Sequence, residues 1–244
     1  MGRSVGAWVH GVLGWLNYLF WTIVVGIGIA VMRLNPADRL RRGGGRALSL
    51  VWGRWMWWST PFWWRRWRGL DKLPAEPSIL VANHQSTIDI PCLFGLPIPV
   101  KISARPGIFH VPVMGPFLRW SGQVNTEHFL QDARAALEGG MSVVVFAEGS
   151  RSADGQIQRF RGGAFKLAVA TGRPIVPVVM DGAQYIMSKR AYLPTRPYVV
   201  VDIEVLEPVP AGEDAKALAR NVRGRMIAAL DALRGRRVVE LGEE

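Results

Sequence analysis

The sequence predicts an α/β protein with a mostly parallel central sheet flanked by helices, preceded by an N-terminal membrane-embedded two-helix hairpin. Two observations lead to this prediction. Between residues 69 and 244, short apolar runs alternate with helical patterns, as they do in parallel sheets. Residues 4–32 contain no Asp, Glu, Lys or Arg, and this stretch is long enough to cross a bilayer. We therefore expect two parts, a membrane-associated hairpin at 1–68 and an α/β domain at 69–244.

The expected hairpin has two unequal arms. The first apolar segment ends at a polar break, residues 35–38, and a basic turn follows at 39–46. Seven of the 11 tryptophans fall in the second segment, residues 47–67, which Arg54 interrupts. Tryptophan and arginine together favour the headgroup region, and an arginine at the bilayer centre costs about 2.5 kcal/mol or more. We therefore prefer a hairpin embedded from one side to a second full span or to a soluble hairpin.

Charge and cysteine content narrow the class of partners. The net charge is +11, and residues 1–68 carry ten Arg and one Asp, a net +9, on an apolar background. This pattern favours an anionic membrane surface over nucleic acid, and the flanking basic residues predict the cytoplasmic face of a membrane, here a bacterial inner membrane. The single cysteine, Cys92, excludes an internal disulfide and is expected in the core.

The part from residue 69 onward is expected to alternate strands and helices in order. The entry loop near Leu73 leads to a buried strand that ends just before Asn83. The last helix carries an apolar stripe from Leu218 to Leu233, and the strand before it alternates as a half-exposed strand does near a sheet edge. The expected strands are 78–82, 100–102, 141–146, 175–179 and 198–205, and the expected helices are 89–94, 126–138, 162–171 and 214–233.

One candidate site follows the first of these strands. His84 lies at the strand end and Asp89 five residues later, in the sequence Asn-His-Gln-Ser-Thr-Ile-Asp. If the chain turns after His84 and Asp89 begins the next helix, the carboxylate can fix one imidazole nitrogen and leave the other as a general base. No metal-ligand spacing, dinucleotide loop or Gly-x-Ser-x-Gly elbow is present in the sequence, so we expect no metal or cofactor and no acyl-enzyme.

A second stretch, Phe-Ala-Glu-Gly-Ser-Arg-Ser at 146–152, follows another strand. Together the two stretches resemble the motifs N-H-x-S-x-x-D and F-x-E-G-[TS]-R-S of the glycerolipid acyltransferases, most closely the lysophosphatidic acid acyltransferases, and the resemblance covers about residues 70–205. It implies that His84 and Asp89 are catalytic. It also implies that Glu148, Gly149, Ser150 and Arg151 belong to the glycerol-phosphate site, with Arg151 on the phosphate. Lys101 is a further candidate for the phosphate or oxyanion.

The resemblance implies transfer of a fatty acyl group from a coenzyme A or carrier-protein thioester to lysophosphatidic acid, giving phosphatidic acid. One departure concerns the acceptor, because His128 stands where the family has arginine. The alternative acceptor is therefore another lyso-lipid, such as lyso-ornithine lipid. A catalytically silent membrane scaffold and a hydrolase remain as readings from other classes. Loss of His84 or Asp89 would favour the scaffold, and release of free acid to water would favour the hydrolase.

Overall fold

The computed structural model describes residues 5–33, 51–112, 114–189, 191 and 193–241. The polar break and basic turn predicted at 35–46 lie outside these residues. The helices are α1 (Val5–Arg33), α2 (Gly53–Trp58), α3 (Asp89–Leu93), α4 (Met114–Trp120), α5 (Phe129–Glu138), α6 (Gly163–Thr171) and α7 (Ala215–Leu241). The strands are β1 (Trp63–Arg68), β2 (Ile79–Ala82), β3 (Val100–Ala104), β4 (Val124–Asn125), β5 (Ser142–Phe146), β6 (Ile175–Asp181) and β7 (Val199–Val205).

The seven strands form one mostly parallel sheet in the order β1-β7-β6-β2-β5-β3-β4, in which only β6 and β7 pair antiparallel. The central strand β2 is completely buried, and its side chains alternate between two apolar layers. Leu80 and Ala82 face the layer that contains α1 to α4, while Ile79 and Val81 face the layer that contains α5 to α7. The predicted α/β architecture is thus confirmed, with helices on both faces of the sheet.

The predicted two-helix hairpin is wrong. After the short helix α2, Thr60 and Pro61 interrupt the helical pattern, because proline at position 61 clashes with a helical carbonyl four residues earlier. Residues 63–68 then form the edge strand β1, which pairs parallel with β7. Arg66 makes a salt bridge of 2.7 Å with the buried Asp202, its register partner on β7. The sheet therefore extends six residues into the segment that we predicted to be membrane-associated.

The helix α1 is the one helix among the described residues that is long and apolar enough to cross a membrane. Its buried residues recur every three or four positions and pack against the protein: Ala7, Gly11, Gly14, Tyr18, Thr22, Val25 and Ile29. Close approach requires glycine here, since a Cβ on Gly14 would lie 2.0 Å from the ring of Trp63. The opposite side is apolar and open, with Leu16, Phe20 and Ile27 each more than half exposed.

Six of the seven predicted interfacial tryptophans divide into two groups, and Trp67 is partly buried against the core. Trp52, Trp57 and Trp63 are buried in the layer beside α1, whereas Trp55, Trp58 and Trp64 are exposed. The side chains of Asn17 and Trp21 bind α2 and Ser59, so this region packs on α1 as one apolar surface. We call the exposed apolar residues of α1 together with Trp55 and Trp58 the α1 surface, whereas Trp64 follows Trp63 on β1 and so points to the other face of the sheet.

Candidate active site

The candidate residues meet at one edge of the sheet because β2 and β5 are parallel and in register. Ala82 pairs with Phe146, so the loops that follow the two strands leave from the same edge. His84 and Glu148 each lie two residues beyond these partners and make direct contact. The His84 backbone N–H donates to Glu148 Oε1 at 2.9 Å. The two sequence motifs, 64 residues apart, are therefore joined at the carboxyl end of the sheet.

Asp89 holds the loop of His84 through a single carboxylate oxygen. Asp89 is the first residue of α3 and is fully buried. Its Oδ2 atom accepts from His84 Nδ1 at 2.9 Å and from the backbone N–H groups of Gln85 and Ser86 at 2.7 and 2.8 Å. With Nδ1 donating, the imidazole keeps Nε2 as its basic atom. The predicted turn between His84 and Asp89 is present.

The imidazole plane is fixed by a second contact. The ring of Phe146 stacks on His84 with centroids 4.0 Å apart and an interplanar angle of 19°. The His84 side chain is 16% exposed, so the ring is mostly covered yet reachable. Asp89 and Phe146 therefore hold the ring in one orientation, which general base catalysis requires.

Glu148 ties the two loops together and does not point at an open site. Only 6% of the residue is exposed, and its Oε2 atom accepts from the backbone N–H of Gln158 at 3.1 Å. Its two oxygens thus accept from two backbone N–H groups, those of His84 and Gln158. Burial raises the pKa of the Glu148 carboxyl to about 7, and the hydrogen bonds from Gln158 and His84 offset part of that shift.

The loop after β5 places Arg151 over the loop of His84. Arg151 Nη1 donates to Thr87 Oγ1 at 3.2 Å and to the Ser188 carbonyl at 3.4 Å. Gly149 has a φ of +71°, and a Cβ there would lie 2.3 Å from Arg161 Nε, so glycine is required. Ser150 lies half-buried between them. Four of the predicted binding residues are thus contiguous beside the His84–Asp89 pair.

Lys101 does not join this cluster. It pairs with Val143, three residues before Phe146, which places it about 10 Å from the carboxyl edge of the sheet. Its neighbours Val100 and Ile102 face the α1 layer, so Lys101 points to the other face, towards Gly122. Sequence reasoning missed Arg105, which follows β3 directly and donates to the carbonyl of Gly149. The signal was available, because Arg105 stands at a strand end just as His84 does.

A buried ion-pair network behind the site was also missed. Asp181, at the end of β6 and 3% exposed, binds Arg234 at 3.1 Å and Arg237 at 3.0 Å, both from α7. Arg234 and Gln85 both donate to the carbonyl of Gly155, at 2.8 and 3.1 Å. The last helix therefore holds the loop that carries Arg151, which explains why α7 continues beyond the predicted end at 233.

Two other residues considered in the sequence, Cys92 and His128, are not among the hydrogen-bond partners of His84 and Asp89 described above. Cys92 is buried in α3, and its pKa is raised well above the usual range by burial and by the charge of Asp89, as expected for a core thiol. His128 is exposed in the turn between β4 and α5.

A narrow apolar crevice adjoins Ile88, the neighbour of Asp89, and is lined also by Tyr18, Trp63 and Met187.

Known proteins share both the sequence pattern and the fold. Residues 65–181 match the acyltransferase family. A chloroplast 1-acyl-sn-glycerol-3-phosphate acyltransferase of Brassica napus is 34% identical over 160 residues, which cover 62% of this chain and 46% of the relative. The alpha form of the human enzyme of that name is 31% identical over 179 residues, which cover 63% of this chain and 58% of the relative. The chain thus spans about half the length of these curated relatives.

The fold has a close counterpart among solved structures. The crystal structure of the 1-acyl-sn-glycerophosphate acyltransferase from Thermotoga maritima aligns with a TM-score of 0.79, over 93% of this chain and 98% of that chain. The sequence identity is 24%. This likeness supports the arrangement of sheet and helices described above.

Proposed function

We propose that the chain transfers a fatty acyl group from a thioester to the free hydroxyl of lysophosphatidic acid, giving phosphatidic acid, because residues 65–181 match the acyltransferase family and the curated relatives carry that activity in their names. One observation carries the proposal. His84 presents Nε2 while the fully buried Asp89 holds Nδ1, and the guanidinium of Arg151 lies on the same loop cluster. A base and a phosphate-binding group are thereby adjacent, as acyl transfer to a phosphorylated alcohol requires.

The proposed reaction is a direct transfer within a ternary complex. His84 Nε2 removes the hydroxyl proton as the acceptor oxygen attacks the thioester carbonyl carbon. The C–O bond forms, the C–S bond breaks, and the imidazolium returns the proton to the leaving thiolate. Asp89 stays ionised throughout and stabilises the imidazolium. The thioester is a co-substrate, and no metal or cofactor enters a step.

Arg151 and Arg105 are proposed to bind the acceptor phosphate. Both guanidinium groups lie at the ends of parallel strands and contact the loops of the site, Arg151 through Thr87 and Arg105 through Gly149. Arginine suits a phosphate because its planar fork donates two parallel hydrogen bonds. Glu148 is proposed to position backbone only, since both its oxygens already accept from N–H groups.

The α1 surface is proposed to hold the enzyme on the cytoplasmic face of the membrane. It combines exposed aliphatic residues with exposed tryptophans, and these favour the bilayer interface. The test is co-flotation with anionic vesicles of wild type and of the triple variant Leu16→Gln, Phe20→Gln, Ile27→Gln. The exposed Leu130→Gln on α5 is the control, and equal flotation of all three proteins contradicts the anchor.

The experiment that tests the reaction is an acceptor panel with labelled acyl thioester and purified full-length protein in detergent. Transfer to lysophosphatidic acid is expected, and His84→Ala should lose about 10²–10⁴-fold in turnover. Since His128 replaces the family arginine, lyso-ornithine lipid belongs in the panel as the alternative acceptor. Transfer to lyso-ornithine lipid but not to lysophosphatidic acid would show that lyso-ornithine lipid is the acceptor. Near-normal turnover by a folded His84→Ala protein would contradict the mechanism.

A further inference from the structure

A basic pocket lies on the face of the protein opposite the α1 surface. It is open, with a volume of about 450 Å³, and lies where the start of α6 meets the first half of α7. Five cationic side chains line it: Arg159, Lys166, Lys216, Arg220 and Arg223. The partly buried ring of Phe160 and the methyl group of Ala219 form its apolar floor. None of the described residues that line it is acidic, so the basic pocket suits a polyanion with a flat apolar part.

The basic pocket connects to the reaction centre through a short path of contacts. Arg223 donates to the carbonyls of Ile157 and Gln158, each at 2.9 Å. The N–H of Gln158 donates to Glu148, whose other oxygen binds the backbone of His84. A ligand in the basic pocket would therefore contact Arg223, whose hydrogen bonds lead through residues 157 and 158 and Glu148 to the backbone of His84.

We propose that the basic pocket binds the phosphorylated adenosine of an acyl-coenzyme A, which makes coenzyme A the thioester carrier. The inference rests on the proposed function, because it assigns one of the two substrates of that reaction. Coenzyme A carries a 3′-phosphate and a diphosphate on an adenosine, and a flexible pantetheine arm ends in the thioester. The cations pair with the phosphates and Phe160 stacks on the adenine, while the arm leads past residues 157 and 158 to His84.

The two substrates then reach the site from opposite sides. The α1 surface and the apolar crevice beside Ile88 lie on one face of the sheet, and the basic pocket lies on the other. An acidic carrier protein would instead dock over a broad surface. The concave shape and apolar floor of the basic pocket fit a small nucleotide better, since small-molecule sites are concave and few.

The direct test uses adenosine 3′,5′-bisphosphate as the probe, with calorimetric titration of the full-length protein in detergent. We expect the double variant Lys216→Glu, Arg220→Glu to weaken binding at least about tenfold, because it reverses two exposed charges at the phosphates. Arg225→Glu is the matched control on the same helix, as Arg225 is exposed, bonded to Asn221 and outside the basic pocket. High salt should reduce binding by the wild type.

Kinetics separate a nucleotide site from a general loss of function. The double variant should raise KM for acyl-coenzyme A by a similar factor while leaving KM for the matching acyl-pantetheine unchanged, because the shorter donor lacks the nucleotide. An equal loss with both donors, or no binding of the bisphosphate by the wild type, overturns the assignment. Activity with acyl-carrier protein alone overturns it too. Transfer to no acceptor from any donor would refute the proposed function, whereas the titration reports on the basic pocket independently.

Discussion

Replacing Glu148 by glutamine should remove a pH-dependent loss of stability. Burial raises the pKa of the carboxyl from 4.5 to about 7 in the folded protein. The folded state therefore binds the proton more tightly than the unfolded state does, and stability falls as the pH rises through this window. This contribution is fully present below pH 4.5 and is lost by the time the pH has passed 7.

The size of the effect follows from the shift. A difference of 2.5 pKa units corresponds to about 3 kcal/mol of unfolding free energy, or roughly 6–12 °C in Tm for a chain of this length. Glutamine offers only one acceptor oxygen to the two N–H groups of His84 and Gln158, so one hydrogen bond is lost at every pH, costing about 1–3 kcal/mol. The variant should therefore be less stable than wild type at pH 5 and should equal or exceed it at pH 8.

Thermal unfolding in detergent, followed by tryptophan fluorescence between pH 5 and 8, measures the difference between the two profiles. The control is Glu138→Gln, which removes an exposed carboxylate at the end of α5 and should leave the slope of the profile unchanged. Parallel profiles for wild type and Glu148→Gln would refute the reasoning. They would mean that the carboxylate is ionised at no cost despite its burial.

Three further variants test other parts of the site. Asp89→Asn should lower kcat, though by less than His84→Ala does, with little change in either KM, because the imidazolium loses its counter-charge while part of the imidazole positioning survives; a near-normal kcat would refute the pairing. Arg151→Ala should raise KM for the acceptor more than KM for the thioester, and Arg151→Lys should restore it only partly; equal effects on both substrates would remove it from the phosphate. Arg234→Gln should raise the acceptor KM and speed amide hydrogen exchange around Gly155, because Arg234 ties that loop to Asp181. The control Arg225→Gln should change neither, and equal exchange rates in the two variants would show that the Asp181 network does not hold the loop that carries Arg151.

The parts of the site that sequence predicted are those fixed by local geometry. His84 and Asp89 are separated by one turn, and a helix starting at Asp89 is enough to bring them together. Glu148 and Arg151 follow from parallel pairing, since two strands that run side by side end at the same edge. Spacing and strand ends explain only why these residues come together, and their roles are what the resemblance of the two motifs to the glycerolipid acyltransferases implies.

The errors have a common physical source in long-range pairing. The Trp-Arg pattern of residues 63–68 is compatible with an interfacial helix. These residues form a strand instead because they pair with β7 and because Arg66 binds Asp202. The network around Asp181 depends on α7, whose arginines follow more than 50 residues later. We expected β3 to end at residue 102, but it ends at Ala104. The early end made Lys101 look like a residue at the strand end, a place that Arg105 holds in the structure.

The pairing of β1 with β7 has a consequence for how the chain is made. Arg66 and Asp202 are 136 residues apart, so at about 5–20 residues per second the ribosome needs roughly 7–27 s to deliver the partner strand. If the α1 surface binds the membrane as proposed, α1 can reach the lipid during that interval, while the strand beside it has unsatisfied backbone donors and acceptors. The tryptophans of this strand would let it wait at the bilayer interface. Membrane attachment would then precede closure of the sheet, and the lipid surface would shield the unpaired strand β1 until β7 is made.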